Sequence, residues 1–330
     1  MANTPFEITQ ARLDARINWE RRDRSGGWRV DLDPVRELLR DLGDPQLAFR
    51  FVHVAGSKGK GSVASLVTHA LVAGGERVGT YASPHVESIT ERVLIDGKPI
   101  PEAALGKALN AVLDVVEEAG VQKTPAGEAS WFDIMTVAAL VAFRDAGMSF
   151  AVLEVGLGGR LDSTNVIPAP EVAVVTTIEL EHTNILGDTH VAIAREKGGI
   201  VKKGCHFVSG CDPQSEAGVT LQQIADQCGV AGFTVAWSRL DKAFEDVNVR
   251  IATVVLAALR ERGIADVELN GEIIASSRLS GRMERRFLSG VMVMLDGAHV
   301  PHSVEMALEE ARSQHPGPFW AVIAVHQEKD

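Results

Sequence analysis

Apolar runs without alternation recur along the chain and predict buried strands. Such runs are typical of parallel strands that helices cover on both faces. They occupy residues 150–155 and 172–178, and a short apolar, β-biased run occupies 51–55. Further strands are predicted at 77–82, 206–209 and 232–237. Apolar residues at helical spacing predict helices at 62–73, 101–119, 132–146, 189–197, 216–228 and 247–262. This repeated order of strand and helix predicts an α/β fold with a doubly wound, mostly parallel sheet.

Further local signals extend this pattern. Pro34 is typical of a first helical position and predicts a short helix at 35–42. Asp96-Gly97 between apolar residues predicts a hairpin over 93–100. Towards the carboxyl end we expect a strand at 291–295, a helix at 301–313 and a strand at 319–325.

We place a domain boundary after residue 282. Fewer than about 40–50 residues rarely fold unaided. Residues 283–330 therefore either pack on the main domain or belong to a domain that the sequence gives only in part.

Composition excludes several classes of protein. The net charge of −11 argues against a broad nucleic-acid surface, and the 5% aromatic content argues against base stacking. The spacing of Cys205, Cys211 and Cys228 suggests neither a disulfide framework nor a zinc site. Residues 1–10 show no signal pattern, and no run of about 18 apolar residues occurs. We therefore expect a cytoplasmic protein without a membrane span.

A glycine-rich loop, GSKGKGS at 56–62, lies between a predicted strand and a predicted helix. Glycines let several backbone N–H groups point at one anion, and the helix N-terminus adds partial positive charge. Lys60 can reach the outer phosphates of a nucleotide, and the Ser62 hydroxyl can ligate Mg²⁺. The spacing differs from GxxxxGK[ST] because Gly61 separates the lysine from the serine. A tight turn beside a surface lysine is the structural alternative.

Three charged side chains follow strands or end a helix. Glu154 ends a predicted strand, where carboxylates face the ligand crevice and can hold Mg²⁺. It can equally be a structural acid. His182 comes just past the next strand, and its alternative is a hydrogen-bonded structural role. Lys197 ends a helix, where the residue alone predicts only a complement to the helix dipole.

Near the carboxyl end, Arg282 can clamp a phosphate with its planar guanidinium group. Asp296 ends the strand at 291–295, and His299 and His302 lie where a helix begins. These residues can also serve only to cap that helix.

Taken in order, these segments resemble the folylpolyglutamate synthase / dihydrofolate synthase family of the Mur ligases. The run EVGLGGRLDSTNVI at 154–167 is very specific. Ser83-Pro84-His85, followed by Glu91-Arg92, is similar to the family's substrate-side segment. The resemblance implies a Mur-ligase-like, P-loop ATP-binding domain over 1–282. It also implies a shortened, Rossmann-like part of the glutamate-ligase domain over 283–330.

This family joins a folate or dihydropteroate carboxylate to the amino group of L-glutamate. The resemblance therefore implies an ATP- and Mg²⁺-dependent ligase that forms an acyl phosphate. The implied ATP site comprises Gly56, Ser57, Lys58, Gly59, Lys60, Gly61, Ser62, Asn248, Arg282, Asp296 and His299. The implied acceptor site comprises Ser83, Pro84, His85 and Arg92. The implied catalytic residues are Lys60, His182 and Lys197, and the ligands of up to two Mg²⁺ ions are Ser62, Ser83, Glu154, His182 and Lys197, the last as a carbamate.

The chain also departs from the usual pattern of this family. Ser57-Lys58 replaces a Thr-Asn pair in the loop, and Glu181-His182 replaces Asp-His. The segment before Asn248 is shorter than usual, and Val300 and Gly198 replace Asn and Ala. Two other functions stay open: a Mur-type ligase for another carboxylate, and a nucleotide-binding protein without ligase activity. We expect a monomer that binds small molecules but neither nucleic acid nor membrane.

Overall fold

The computed structural model describes residues 4–18, 31–240, 243–298, 301–315 and 317–323. Its α-helices are α1 (Pro5–Asp14), α2 (Asp33–Asp41), α3 (Lys60–Ala73), α4 (Glu102–Gln122), α5 (Trp131–Asp145), α6 (Thr183–Leu186), α7 (His190–Gly198), α8 (Glu216–Cys228), α9 (Phe244–Glu261), α10 (Gly271–Ser276) and α11 (Pro301–Gln314). Its strands are β1 (Arg50–Ala55), β2 (Val78–Tyr81), β3 (Val93–Ile95), β4 (Lys98–Pro99), β5 (Phe150–Glu154), β6 (Val172–Val175), β7 (His206–Ser209), β8 (Gly232–Val235), β9 (Glu284–Leu288) and β10 (Val291–Leu295). Within these ranges, no helix has the length and apolar character needed to cross a membrane.

The main sheet has the strand order β4-β3-β2-β5-β1-β6-β7-β8. From β2 to β8 all neighbouring strands are parallel, and β3 and β4 extend one edge in antiparallel fashion. The chain leaves β1 towards β2 on one side and leaves β6 towards β7 on the other. Doubly wound sheets bind ligands at such a reversal, outside the carboxyl ends of the strands. The predicted fold class is confirmed.

Alternate residues of the central strands enter apolar cores on the two faces of the sheet. Val52 and Val54 of β1 pack with α3 and α9 on one face. Phe51 packs with α2, α4 and α5 on the other face. Ala173 and Phe207 continue that second face under α7 and α8. Since a buried side chain of this kind contributes about 1.5–3 kcal/mol, both cores hold the strand ends in place.

Most predicted helices and strands are present, with shifted ends. The hairpin over 93–100 is confirmed, and Asp96 (φ 49°) and Gly97 (φ 77°) have the left-handed conformations of a two-residue turn. The strand predicted at 172–178 ends at Val175. Thr176 and Thr177 instead turn their hydroxyl groups towards the loop 56–62.

The segment after residue 282 forms a separate antiparallel hairpin of β9 and β10. β10 and α11 confirm the strand at 291–295 and the helix at 301–313, whereas β9 was not predicted. The strand expected at 319–325 is wrong over 319–323, which has no regular structure. A strand needs a paired neighbour, and Trp320 there is 97% exposed. The domain boundary after residue 282 stays a prediction.

Candidate active site

Four neighbouring strand ends bring the predicted site residues to one edge of the sheet. The carboxyl ends of β2, β5, β1 and β6 lie side by side. In that order they carry Ser83, Glu154, the loop 56–62 and the segment 176–182. Lys197 in α7 and Asn248 in α9 are added from the helices. The order of strands in space therefore explains why these distant segments form one site.

Hydrogen bonds to the segment after β6 fix the loop 56–62. The Lys58 N–H donates to Thr177 Oγ1 at 3.0 Å, and the Lys58 carbonyl accepts from Thr176 Oγ1 at 2.5 Å. The Ser57 N–H donates to the Thr177 carbonyl at 2.8 Å. The Ser57 hydroxyl accepts the Glu179 N–H at 2.9 Å. The loop is thus held in shape before any anion binds, as an efficient phosphate site requires.

Gly56 and Gly59 are required by both conformation and space. Their φ values are 144° and 82°, which other residues rarely adopt. A Cβ atom on Gly56 would collide with Thr176 Oγ1, and one on Gly59 would collide with Asn248 Oδ1. The missing side chain at Gly59 lets the buried Asn248 lie against the start of α3. The structure therefore places Asn248 against the loop 56–62, and its assignment to the ATP site stays a prediction.

Two ammonium groups share one carbonyl oxygen behind the loop. Lys60 Nζ donates to the Gly56 carbonyl at 2.9 Å, and Lys197 Nζ donates to the same oxygen at 3.0 Å. Lys197 Nζ also lies 3.0 Å from Glu181 Oε1. Lys197 is only 2% exposed. Lys197 therefore forms a buried ion pair beside the loop and is not a surface complement to a helix dipole.

Burial and neighbouring charges shift both members of this pair. Burial, and after it the charge of Lys60, lowers the pKa of Lys197 to about 8. Burial acts to raise the pKa of Glu181, but the ammonium groups of Lys197 and Lys60 hold that pKa below its usual value. Lys197 therefore gives up its proton more readily than an ordinary lysine.

Glu154 is buried at the end of β5, beside the loop. Its Oε2 accepts the Ser83 N–H at 3.1 Å, and a Cβ on Gly61 would lie 3.3 Å from the same oxygen. Burial raises the pKa of Glu154, while the positive charges of Lys60 and Arg282 oppose that rise. A carboxylate offers about four acceptor positions. The Ser83 N–H therefore leaves room for a cation.

The segment that follows β5 ties this strand to α7. Arg160 donates to Glu196 Oε1 through Nε at 3.0 Å and through Nη2 at 2.9 Å. The Asn165 side-chain amide donates to the Gly199 carbonyl at 3.0 Å. Because Glu196 and Gly199 flank Lys197, these contacts fix the lysine relative to the end of β5. The very specific run at 154–167 thus has a structural task as well as supplying a carboxylate.

Two further implied Mg²⁺ ligands, His182 and Ser62, lie at the starts of helices. His182 precedes α6 in a left-handed conformation, with φ of 49°. It is exposed, and its charge acts on the neighbouring Glu181. Ser62 lies in the first turn of α3 and is half-buried. His182 thus follows β6 and Ser62 opens α3, and their roles as Mg²⁺ ligands stay predictions.

Asp296 caps the turn after β10. It accepts the N–H groups of Met283 at 2.9 Å and Ala298 at 2.8 Å. These bonds fix the turn and do not cap α11, and a carboxylate with two such donors retains acceptor positions for a ligand. His299 lies outside the described residues.

Arg282 lies across the same turn from Asp296. A Cβ on Gly297 would lie 3.1 Å from Arg282 Nη1. Although exposed, Arg282 acts electrostatically on Lys58 and on Glu154. Its charge therefore reaches the loop 56–62, where a phosphate would bind.

Arg92 is buried and is held by an imidazole and an aromatic ring. Its Nε donates to His85 Nδ1 at 2.8 Å, and its guanidinium carbon lies 4.7 Å from the centroid of the Trp131 ring. Trp131 Nε1 donates in turn to Asp14 Oδ1 at 3.0 Å. Ser83 and Pro84, which precede His85, are joined by a cis peptide bond. The structure therefore brings together two residues of the implied acceptor site, whose role in binding the acceptor stays a prediction.

Sequence reasoning assigned no role to Thr176, Thr177 or Trp131. The two threonines follow a β-branched run and were included in the predicted strand. Their position just after a strand, opposite a glycine loop, is the signal that could have identified them. Trp131 opens a helix that was predicted mainly from its apolar character. Its contact with Arg92 depends on the tertiary fold.

The donors at this edge fit Mg²⁺ bound together with a nucleotide. Among the described residues there is no cluster of three or more His, Cys, Asp or Glu side chains that could hold a metal. Mg²⁺ commonly uses one or two carboxylates, several waters and the phosphates of its substrate. Glu154, with the serine hydroxyl groups after β1 and β2, is a donor set of that type.

The fold and the site define a nucleotide-binding α/β protein. No protein-family profile matches the chain. It is 30% identical over 332 residues to the folylpolyglutamate synthase of Lacticaseibacillus casei, covering 90% of this chain and 76% of that protein. It is 34% identical over 321 residues to the dihydrofolate synthase/folylpolyglutamate synthase of Escherichia coli K12, covering 91% of this chain and 73% of that protein.

Solved structures agree with these sequence relationships. A folylpolyglutamate synthase complex with AMPPCP and folate has a TM-score of 0.81 at 28% identity, covering 95% of this chain and 81% of that chain. The Mycobacterium tuberculosis folylpolyglutamate synthase complexed with ADP has a TM-score of 0.77 at 27% identity, covering 94% and 73%. The chain belongs to the folylpolyglutamate synthase / dihydrofolate synthase family. It is an ATP-dependent ligase that forms a bond between an acid and an amino acid.

Proposed function

We propose that this chain adds L-glutamate to the carboxylate of a folate or a dihydropteroate through an acyl phosphate. The observation that carries the proposal is the meeting of the loop 56–62, Glu154 and the Lys197–Glu181 pair at one sheet edge. The relative solved with AMPPCP and folate supports a nucleotide and a folate as substrates. We assign ATP binding to residues 1–282 and part of the glutamate-ligase domain to 283–330. We also propose that the enzyme is a monomer and that it is cytoplasmic. The free, buried thiols of Cys205 and Cys211 fit the reducing conditions of that compartment.

In the first step, an oxygen of the acceptor carboxylate attacks the γ-phosphorus of ATP. The bond to the bridging oxygen breaks, which yields the acyl phosphate and ADP. Negative charge lies on the transferred phosphoryl oxygens throughout, so catalysis depends on positioned positive groups. The backbone N–H groups of the loop, Lys60 and Arg282 would supply that stabilisation, and Asn248 and Asp296 would help to hold the nucleotide.

In the second step, the neutral amine of glutamate attacks the carbonyl carbon of the acyl phosphate. The carbon–oxygen bond to phosphate breaks, so the products are the amide, inorganic phosphate and a proton. Ser83, Pro84, His85 and Arg92 would hold the acceptor. The fixed orientation of Arg92 between His85 and Trp131 supports this, because an oriented guanidinium group binds carboxylates well.

Ser62, Ser83 and Glu154 would hold the Mg²⁺ of the nucleotide, and His182 with Lys197 would hold a second ion. When bound, Mg²⁺ neutralises charge on phosphate oxygens. Burial raises the pKa of Glu154. A bound cation would favour the ionised carboxylate, so this buried carboxylate supports a Mg²⁺ site. These roles make Lys60, His182 and Lys197 the proposed catalytic residues.

Lys197 is proposed to be a carbamate in the working enzyme. Its neutral amine would attack carbon dioxide and lose a proton, giving an anionic oxygen ligand. The lowered pKa of Lys197, about 8, supports this because it enlarges the neutral fraction. A ¹³C-bicarbonate NMR experiment should show a carbamate signal that disappears in Lys197→Ala. A signal that persists unchanged in that variant would reject the assignment.

Phosphate release from ATP tests the proposed reaction directly. The protein is incubated with Mg²⁺, glutamate and one pteroate or folate at a time, with Lys60→Ala as the control. Release that requires both glutamate and a pterin supports the proposal, and the pterin used separates dihydrofolate synthase from polyglutamate synthase activity. Clear ATP binding with no release for any pair would instead favour another acceptor or a nucleotide-binding protein without ligase activity.

A further inference from the structure

Lys58 occupies a fixed position in the middle of the nucleotide loop. Its N–H and its carbonyl bond to the hydroxyl groups of Thr177 and Thr176 at 3.0 Å and 2.5 Å. The side chain therefore starts from a backbone that is held on both sides. Its direction is set by the fold rather than by a mobile turn.

Within the described part of the chain, the Lys58 ammonium group differs from those of the two lysines near it. Lys60 and Lys197 both donate to the Gly56 carbonyl, and Lys197 also pairs with Glu181. Lys58 Nζ makes no hydrogen bond or ion pair with any residue in the described part of the chain. Because an ammonium group gives up hydration when it is half-buried, an unpaired one is preorganised to bind an anion.

The backbone bonds of Lys58 to Thr176 and Thr177 place it beside the segment that follows β6. The carboxylates of Glu181 and Glu179 act on it favourably, and the cations Lys60 and Arg282 act on it unfavourably. Glu181 is the partner of the buried Lys197. Lys58 therefore lies next to the segment that joins β6 to α7, to which Thr176 and Thr177 belong.

We propose that Lys58 contacts the outermost phosphoryl group of the nucleotide and makes the site selective for a triphosphate over a diphosphate. This inference rests on the proposed function of the loop. In phosphate-binding loops the backbone N–H groups cradle the inner phosphates. The segment beside Lys58 leads to His182 and Lys197, which we propose to hold the second Mg²⁺ ion, so a cation here would face the phosphoryl group that is transferred. Lys58 is thus a specificity-determining residue. Its contact with the outermost phosphoryl group is kept when that group passes from ATP to the acyl phosphate.

Nucleotide affinity measured by calorimetry tests this proposal. Lys58→Gln removes the charge and keeps most of the side chain, and Lys58→Asn provides a second neutral variant. Loss of one charge-assisted hydrogen bond should weaken AMPPCP binding about tenfold. ADP binding should change less than about twofold, since ADP lacks the third phosphoryl group. Lys58→Arg should keep most of the preference.

A matched control separates local contact from net charge. Lys203 is exposed in the turn before β7, at the opposite edge of the sheet. Lys203→Gln changes the net charge equally and should alter neither affinity. Retained ADP binding in Lys58→Gln and Lys58→Asn shows that the site is folded.

The outcomes distinguish this inference from the proposed function. An unchanged ratio of AMPPCP to ADP affinity in both neutral variants would overturn the role of Lys58 alone. Equal weakening of both nucleotides would also overturn it, because the lysine would then act on the inner phosphates. If the unsubstituted protein binds neither AMPPCP nor ADP, the nucleotide site itself is overturned, and the Lys58 inference with it.

Discussion

Replacing Gly59 by alanine perturbs the contact between the nucleotide loop and α9. Gly59 has φ of 82°, and a Cβ there would collide with Asn248 Oδ1 and lie 3.2 Å from Asn248 Cγ. Left-handed conformation costs an L-residue about 1–2 kcal/mol. Overpacking a buried contact costs about 1–3 kcal/mol more. We therefore expect Gly59→Ala to lower the free energy of unfolding by about 2–5 kcal/mol.

Gly204 provides the control for the backbone part of this cost. Its φ is 84°, and a Cβ there would have no atom within 4 Å. Gly204→Ala should therefore lose only about 1–2 kcal/mol. The difference between the two variants isolates the collision with Asn248.

Urea unfolding followed by circular dichroism measures both losses. The double variant Gly59→Ala/Asn248→Ala removes the collision, so it should be less destabilised than the sum of its single variants. Equal losses in Gly59→Ala and Gly204→Ala, or strict additivity in the double variant, would refute the placement of Asn248 against the loop.

Three further predictions follow from contacts at the site. Thr176→Val removes the hydroxyl that donates to the Lys58 carbonyl, so stability should fall by about 1 kcal/mol and ADP affinity should fall with it in calorimetry. Thr253→Val, in the exposed part of α9, should leave ADP affinity unchanged. In buffer free of carbon dioxide, where Lys197 is a free amine, its pKa is lowered from 10.5 to about 8, so between those pH values the unfolded chain binds more protons and the free energy of unfolding should rise with pH. Urea midpoints across that range should show a smaller rise in Lys197→Met, and identical slopes would contradict the burial of this amine. Trp131→Leu removes the ring over Arg92 and should raise the KM for the pterin acceptor about fivefold with little change in the KM for ATP. Steady-state kinetics measure both, Trp320→Leu is the exposed control, and a selective rise in the KM for ATP would contradict the assignment.

The order of strand, loop and helix at 50–73 could be predicted because each of its parts is local. A β-branched run, closely spaced glycines and helical spacing are all visible within a few residues. Reliance on local signals also explains why the strand predicted at 172–178 is too long, since β6 ends at Val175. Thr176 has strand propensity, but its hydroxyl bonds to Lys58, 118 positions away in the sequence. Such a contact overrides a local preference and leaves no trace in the segment itself.

The members of the site could be predicted better than their contacts. Lys197 alone indicates a complement to a helix dipole, and only the packing of α7 beside β6 brings it to Glu181. Trp131 lies over Arg92 because α5 and the segment after β2 meet in the fold. The strand wrongly expected over 319–323 shows the converse. Apolar residues indicate that a segment can pair, but the partner strand is a property of the tertiary structure.

The Gly56 carbonyl couples nucleotide binding at the loop 56–62 to proton binding at Lys197. Lys60 and Lys197 both donate to it, so the phosphate-binding lysine and the buried lysine share a single acceptor. A phosphate that draws Lys60 away leaves Lys197 with a larger share of that oxygen and changes the charge around it. Because coupling free energies are reciprocal, a change in the proton affinity of Lys197 on nucleotide binding must return as an equal pH dependence of nucleotide affinity. Through this one oxygen atom, the protonation of Lys197 in α7 depends on whether a nucleotide is bound to the loop 56–62.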